Sequence, residues 1–274
     1  TLGCKVNEVE SASFLAALEA RGYETTDEPG YADLYILNTC AVTAEAEKKS
    51  RQAVARLRKF NPAARIIVCG CAAQSHPEAF SSREGVTLVT GAAHKDRVLE
   101  LLDREGVFLE EERAFCELPA PKQTKTRAFL RIQDGCNRFC SYCLIPYLRG
   151  RTRSRSADAV VREAERMSAR EIVLTGIDIT SYRDGDTDLG DLLLRLGKLP
   201  ARIRLGSLEE GVVTREFLGK MRAAGNVCPH FHLSLQSGSD AVLRKMNRRY
   251  TRAQYLEACA LICEFFPDAA VTTD

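Results

Sequence analysis

Short apolar runs alternate with amphipathic stretches in the first part of the chain. Leu34-Tyr35-Ile36-Leu37, Arg65-Ile66-Ile67-Val68 and Val86-Thr87-Leu88-Val89 have the length and β-branched content of strands. Between them, Phe14, Leu15, Ala17 and Leu18 recur at helical spacing and stop at Gly22, and Thr43 to Phe60 carries Val54 and Leu57 three apart before Pro62. Such alternation predicts a parallel sheet with helices on its faces. Leu118 to Lys125 has Pro119, Pro121 and no apolar period, so it reads as a linker. Five further runs follow: Phe129-Leu130-Arg131-Ile132, Glu171-Ile172-Val173-Leu174, Ile203-Arg204-Leu205, Phe231-His232-Leu233-Ser234-Leu235 and Ala269-Ala270-Val271. In regular alternation with helices they predict a barrel-type domain. The expected fold class is therefore α/β: an open parallel α/β sheet domain over 1–118, a linker over 119–126, and a (β/α) barrel domain over 127–274.

The 274 residues are 45% hydrophobic, enough to bury two cores, so disorder is excluded as the default. No run of about 18 apolar residues marks a membrane span, and no basic segment followed by an apolar stretch marks a secretory signal. A soluble, cytoplasmic protein is expected. The net charge of +2 hides an asymmetry: residues 1–118 carry 14 Lys/Arg against 19 Asp/Glu, and residues 119–274 carry 25 against 18. From Lys122 to Arg155 there are nine Lys/Arg and one acid, Asp134. Two readings of that segment stand, contact with a polyanion or a solvated charge-rich stretch.

Eleven cysteines change the picture. The count is odd, the chain is long and nothing marks it for export, so a disulfide framework is excluded and metal or redox chemistry remains. Cys4, Cys40 and Cys71 are each expected just after a strand, Cys4 after a clipped one. In open α/β sheets that edge binds ligands, so three thiols from three strands can converge there. Each alone also reads as a small buried hydrophobe. Cys136, Cys140 and Cys143 form a C-x3-C-x2-C run in the loop after a strand. Structural zinc takes four ligands, usually in pairs, and no second CxxC lies downstream. Three close thiolates suit an iron–sulfur cluster, leaving one iron for a non-protein ligand.

Six motifs in order then resemble the radical S-adenosylmethionine methylthiotransferases. They are Thr1-Leu2-Gly3-Cys4-Lys5-Val6-Asn7, Asn38-Thr39-Cys40-Ala41-Val42-Thr43, Gly70-Cys71-Ala72-Ala73-Gln74, Ile132-Gln133-Asp134-Gly135-Cys136, Ile145-Pro146-Tyr147-Leu148-Arg149-Gly150-Arg151 and Leu235-Gln236-Ser237-Gly238-Ser239-Asp240. The opening motif most resembles the branch acting on N6-threonylcarbamoyladenosine at position 37 of tRNA. The resemblance implies two 4Fe-4S clusters, an auxiliary one on Cys4, Cys40 and Cys71 and a radical-generating one on Cys136, Cys140 and Cys143 that binds S-adenosylmethionine. It implies a transferase that places a methylthio group on carbon 2 of the adenine, a position with no acidic proton for a side-chain base.

Thr175, Ser234 and Gln236 lie at strand ends, where a barrel holds its ligands, and are candidates to contact S-adenosylmethionine. Arg149, Arg151, Arg153 and Arg155 are candidates for phosphates of a tRNA anticodon stem-loop, with Tyr147 for stacking. A reductant protein such as a flavodoxin or ferredoxin and a sulfur donor are the other expected partners. Cys69, Cys116, Cys228, Cys259 and Cys263 match no ligand position. Relatives of this kind continue past residue 274 and usually carry a small RNA-binding β-barrel of the TRAM type, so the barrel is expected to be cut short and that domain absent. Leu208-Glu209-Glu210-Gly211 has Glu where relatives often have Pro, which bears on local loop geometry but touches no expected ligand. Alternative substrates are an isopentenylated adenosine in tRNA or an aspartate of a ribosomal protein. A different class, a redox sensor or cluster carrier without chemistry of its own, fits the same cysteines.

Overall fold

The computed structural model describes residues 1–274 except 27, 94, 110–113 and 122–125. Four residues of the expected linker, 122–125, lie outside the described residues. The chain divides into two units: Thr1–Lys122 with Leu144–Gly150, and Gln123–Cys143 with Arg151–Asp274. The sequence reading assigned 144–150 to the barrel; it folds with the first unit.

In the first unit, α1 (Lys5–Glu19) precedes β1 (Leu34–Thr39), α2 (Ala44–Phe60), β2 (Arg65–Gly70), α3 (Cys71–Ser75), α4 (Glu78–Ser81), β3 (Val86–Thr90), α5 (Asp96–Glu100) and β4 (Gly106–Phe108). The strands form one parallel sheet in the order β1-β2-β3-β4. The three predicted runs are β1 to β3; β4, a short strand whose three residues are exposed, is not among them. Strand alternation splits β2 between two cores. Ile66 and Val68 pack with Val54 and Phe80, while Ile67 and Cys69 pack with Phe14, Leu88 and Val98. Thr43 caps α2 by accepting from the Ala46 N–H. No clipped strand precedes Cys4, which is instead the N-cap of α1.

The second unit begins with β5 (Arg127–Arg131) and β6 (Gln133–Asp134), after which α6 (Ile145–Leu148) lies in the first unit. It continues through β7 (Arg153–Ser154), α7 (Ala157–Arg166), β8 (Glu171–Thr175), β9 (Arg183–Asp184), β10 (Thr187–Asp188), α8 (Leu189–Leu196), β11 (Arg202–Leu205), β12 (Ser207–Leu208), α9 (Arg215–Ala224), β13 (His230–Leu233), α10 (Asp240–Lys245), α11 (Arg252–Phe265) and β14 (Ala270–Thr272). Parallel pairing runs β5-β8-β11 and β12-β13-β14, with only Gly206 between β11 and β12. All five predicted runs are present as successive parallel strands with helices between, a partial (β/α) barrel. Leu130, Ile172, Leu174, Ile203, Phe231 and Leu233 are fully buried and form its core with the helices, each such side chain contributing about 1.5–3 kcal/mol. Capping boxes start α8 at Asp188 and α11 at Thr251. No helix of the described residues is long and apolar enough to cross a membrane.

Candidate functional site

The first-unit cysteines are brought together by backbone that only special residues can follow. Cys40 comes directly after β1 and Cys71 opens α3 directly after β2, both buried, while Cys4 is exposed. Gly3 has φ +100°, and a Cβ there would stand 2.7 Å from Cys40 Cβ and 2.8 Å from its Sγ. Gly70 has φ +101°, and its Cβ would stand 2.5 Å from the Thr39 carbonyl oxygen. Glycine thus lets residues 3–4 and 70–71 press against residues 39–40. Asn7 Nδ2 ties the same segments by donating to Leu2 O at 2.8 Å and Thr39 O at 3.0 Å. Thr39 Oγ1 donates to Cys69 O at 2.6 Å. Burial pushes the Cys40 thiol up, against the pull of the Val42 N–H, and the charges of Cys71 and Cys4 push it further. Three mutually repelling sulfurs are a donor set that bound metal stabilises as thiolates.

Beneath them lies a buried polar cluster. Arg149 Nη1 pairs with Glu10 Oε1 at 3.0 Å and its Nη2 donates to Asn7 Oδ1 at 2.6 Å. Lys95 Nζ donates to Asn38 Oδ1 at 2.6 Å and pairs with Glu10 Oε2 at 3.3 Å. Arg149, Glu10 and Lys95 are all 0% exposed. Cys69 faces Lys95 Nζ at 3.9 Å, on the sheet face opposite Ile66 and Val68.

The second unit presents Cys136, Cys140 and Cys143 on the loop after β6, all half-buried. Here too the residue before a cysteine is left-handed: Gly135 at φ +69° before Cys136 and Phe139 at +51° before Cys140. A side chain in that region costs about 1–2 kcal/mol, which the surrounding contacts offset. Asn247 Nδ2 donates to Phe139 O at 2.8 Å, and the Arg151 guanidinium lies 4.5 Å over the Phe139 ring. Fully buried Gln133 donates to Asp134 O and Gly135 O, both at 2.7 Å, and accepts from the Asp178 N–H at 2.7 Å. A turn from the Cys143 N–H to Cys140 O, 3.0 Å, joins the last two thiols. Burial pushes the Cys136 thiol up to about 11, despite the Arg138 N–H, with Asp178 adding to the rise.

A chain of charges reaches this loop. Arg138 Nε donates to Asp178 Oδ2 at 2.8 Å, and Arg138 also pairs with Glu209 at 3.8 Å. Glu209 pairs in turn with Arg248. Arg248 donates through Nη1 to Cys140 Sγ at 3.3 Å and through Nη2 to Ser234 O at 3.2 Å. The segment holding Glu209 and Glu210 was expected to touch no ligand. Glu209 is linked to Cys140 through Arg248, consistent with no direct contact. This network joins positions up to 108 residues apart, so spacing along the chain carried no sign of it.

Thr175, Ser234 and Gln236 stand at or beyond the carboxyl ends of β8 and β13. Thr175 is buried, Ser234 O also accepts from Tyr250 Oη at 2.7 Å, and Gln236, at φ +65°, donates to Asp274 Oδ1 at 3.2 Å. The four arginines are separated by the structure. Arg149 is held as above. Arg153 is 8% exposed and pairs with Asp134 at 3.1 Å, and Arg155, also 8% exposed, pairs with Glu163 at 2.6 Å. Their charges are used in packing, which corrects the expectation that they meet phosphate. Arg151 and Tyr147 are exposed.

Two thiol triads, one of Cys4 at the start of α1 with Cys40 and Cys71 after parallel strands and one on the first loop of a partial barrel, define an iron–sulfur protein of the radical type. Residues 130–274 match the Radical SAM superfamily model and residues 1–91 match that of Uncharacterized protein family UPF0004. The whole chain is 38% identical to Threonylcarbamoyladenosine tRNA methylthiotransferase MtaB of Chlamydia pneumoniae, covering 65% of that protein. It is 34% identical over its whole length to tRNA-2-methylthio-N(6)-dimethylallyladenosine synthase of Thermodesulfovibrio yellowstonii (strain ATCC 51303 / DSM 11347 / YP87), covering 67% of it. The fold is similar to that of the radical S-adenosylmethionine methyltransferase TsrM from Kitasatospora setae, with a TM-score of 0.66 and 15% identity over 97% of this chain and 63% of that one. The chain belongs to the radical S-adenosylmethionine superfamily, in its methylthiotransferase family. It spans about 65% of the length of the Chlamydia relative. The residues present fit the family's cofactors: Cys4, Cys40 and Cys71 would hold one 4Fe-4S cluster, and Cys136, Cys140 and Cys143 a second with one iron free for S-adenosylmethionine. Among the described residues, no three His, Cys, Asp or Glu side chains are placed to share a single metal ion.

Proposed function

We propose that this chain carries the catalytic units of a cytoplasmic tRNA methylthiotransferase that modifies carbon 2 of N6-threonylcarbamoyladenosine at position 37. The observation that carries the reading is the pair of separate thiol triads, each shaped by left-handed residues at its own loop. When bound, the clusters and S-adenosylmethionine supply the electron, the radical and the sulfur chemistry that no side chain offers. The chain's own residues hold and tune. Gly3 and Gly70 bring Cys40 against the segments of Cys4 and Cys71. Gln133 and Asn247 fix the backbone of the Cys136–Cys143 loop. The Arg248 N–H aimed at Cys140 Sγ draws electron density from that sulfur, and Glu209 holds the guanidinium in place. Thr175, Ser234 and Gln236, at the strand ends, would line the cofactor.

The likeness to the Thermodesulfovibrio synthase supports a second substrate, dimethylallyladenosine. Nucleoside analysis of tRNA from a deletion strain separates the two, because only the true product disappears; loss of neither, with an altered ribosomal protein, would point to an aspartate substrate. A flavodoxin or ferredoxin as reductant and a separate sulfur donor complete the proposal. Formation of 5′-deoxyadenosine by the reduced, reconstituted protein supports an enzyme, and its absence would leave a cluster carrier or redox sensor.

A further inference from the structure

The segment from Asp240 to Arg252 carries five cations, Arg244, Lys245, Arg248, Arg249 and Arg252, against one acid, Asp240. Arg248 is drawn inward to Glu209. The other four are exposed on the second half of α10, the turn after it and the first residue of α11. Among the described residues, the side chain of none of the four forms a salt bridge or hydrogen bond. Elsewhere on this unit several cations are neutralised. Arg127, Arg195, Arg204, Arg215 and Lys220 each meet a carboxylate. The four fall within nine residues of sequence and the segment's acid, Asp240, accepts from the Arg252 N–H at 2.7 Å, so the segment keeps an excess of exposed positive charge that a polyanion relieves.

The patch is fastened to the Cys136–Cys143 loop. Ser141 donates through its N–H to Met246 O at 3.1 Å and through Oγ to Lys245 O at 2.9 Å, while Asn247 holds Phe139 O. On the same loop Tyr142 is 51% exposed and offers a ring for stacking. We infer that Arg244, Lys245, Arg249 and Arg252 bind the phosphate backbone of the RNA whose base is modified. This inference rests on the tRNA reading above. It moves the phosphate contacts from Arg149, Arg153 and Arg155, which are buried, to the rim formed by α10 and α11. Arginine predominates and a stacking ring is at hand, which favours RNA over an acidic protein.

The test is binding of fluorescent tRNA to the full-length holo-protein, measured by anisotropy across a salt series. For Arg244→Glu/Arg249→Glu, with cluster content and electron paramagnetic resonance signal as the check on folding, affinity should fall by about tenfold or more. The slope of log K against log salt should shrink by about 1–2. Should charge reversal lower the cluster content, Arg244→Ala/Arg252→Ala should show a smaller loss in the same direction. Unchanged affinity and slope in variants of a wild type that binds tRNA would overturn the inference alone. Failure of the wild type to bind tRNA would overturn the functional reading beneath it. Unchanged tRNA binding with impaired reduction by an acidic flavodoxin would assign the patch to a protein partner and also overturn the inference.

Discussion

Arg248 Nη1 stands 3.3 Å from Cys140 Sγ, with Glu209 paired to the same guanidinium. A hydrogen bond and a positive charge at a ligand sulfur favour the reduced, more negative state of a cluster. Arg248→Met should therefore move the reduction potential of the radical cluster to more negative values with little change in iron content, and Arg248→Lys should recover part of the shift. A potentiometric titration followed by electron paramagnetic resonance measures this. Equal potentials in all three proteins would mean that the contact is packing alone.

Iron analysis can test the two triads separately. About eight irons are expected per chain carrying both clusters. Cys136→Ala/Cys140→Ala/Cys143→Ala should keep about half. Gly3→Ala should lose the other half, because its methyl group meets Cys40 and its φ of +100° is strained for any L side chain. Full iron content in Gly3→Ala would show that the first site does not depend on that close approach.

Arg149→Met leaves Glu10 short of a buried partner, and breaking such a pair typically costs about 3–5 kcal/mol. Urea unfolding of the first unit should show a loss of that order, while Arg151→Ala, at an exposed site, should change little. Comparable effects of the two substitutions would contradict the burial of Arg149.

In metal-free protein the Cys136 thiol, raised to about 11 chiefly by burial, favours its neutral form at neutral pH. Its alkylation should accelerate about tenfold per pH unit from 7 to 10 and level off only near 11. A plateau near pH 9, where an ordinary thiol levels off, would show that the site is open to water.

The thiol triads were legible in the sequence for different reasons. Cys136, Cys140 and Cys143 are close together, and Cys40 and Cys71 follow apolar runs that do form β1 and β2. Cys4 is expected after a strand, yet the period of Val6, Val9, Phe14 and Ala17 belongs to a helix that starts just after it. The arginines show the limit of charge counting. Arg149 finds Glu10 139 residues away, and a run of cations does not reveal which members folding will consume. The Glu209–Arg248 pair and the left-handed Phe139 depend on where β12, α10 and the cluster loop meet in space, and no local pattern encodes that.

The excursion of Leu144–Gly150 into the first unit has a genetic consequence. The two units are not two contiguous stretches of gene, and a crossover near residue 122 exchanges Glu10 and Asn7 without exchanging the Arg149 that pairs with them. A hybrid joined there between two relatives inherits that buried pairing from both parents at once. Recombination between family members should therefore succeed more often when the short stretch after Cys143 travels with the amino-terminal half.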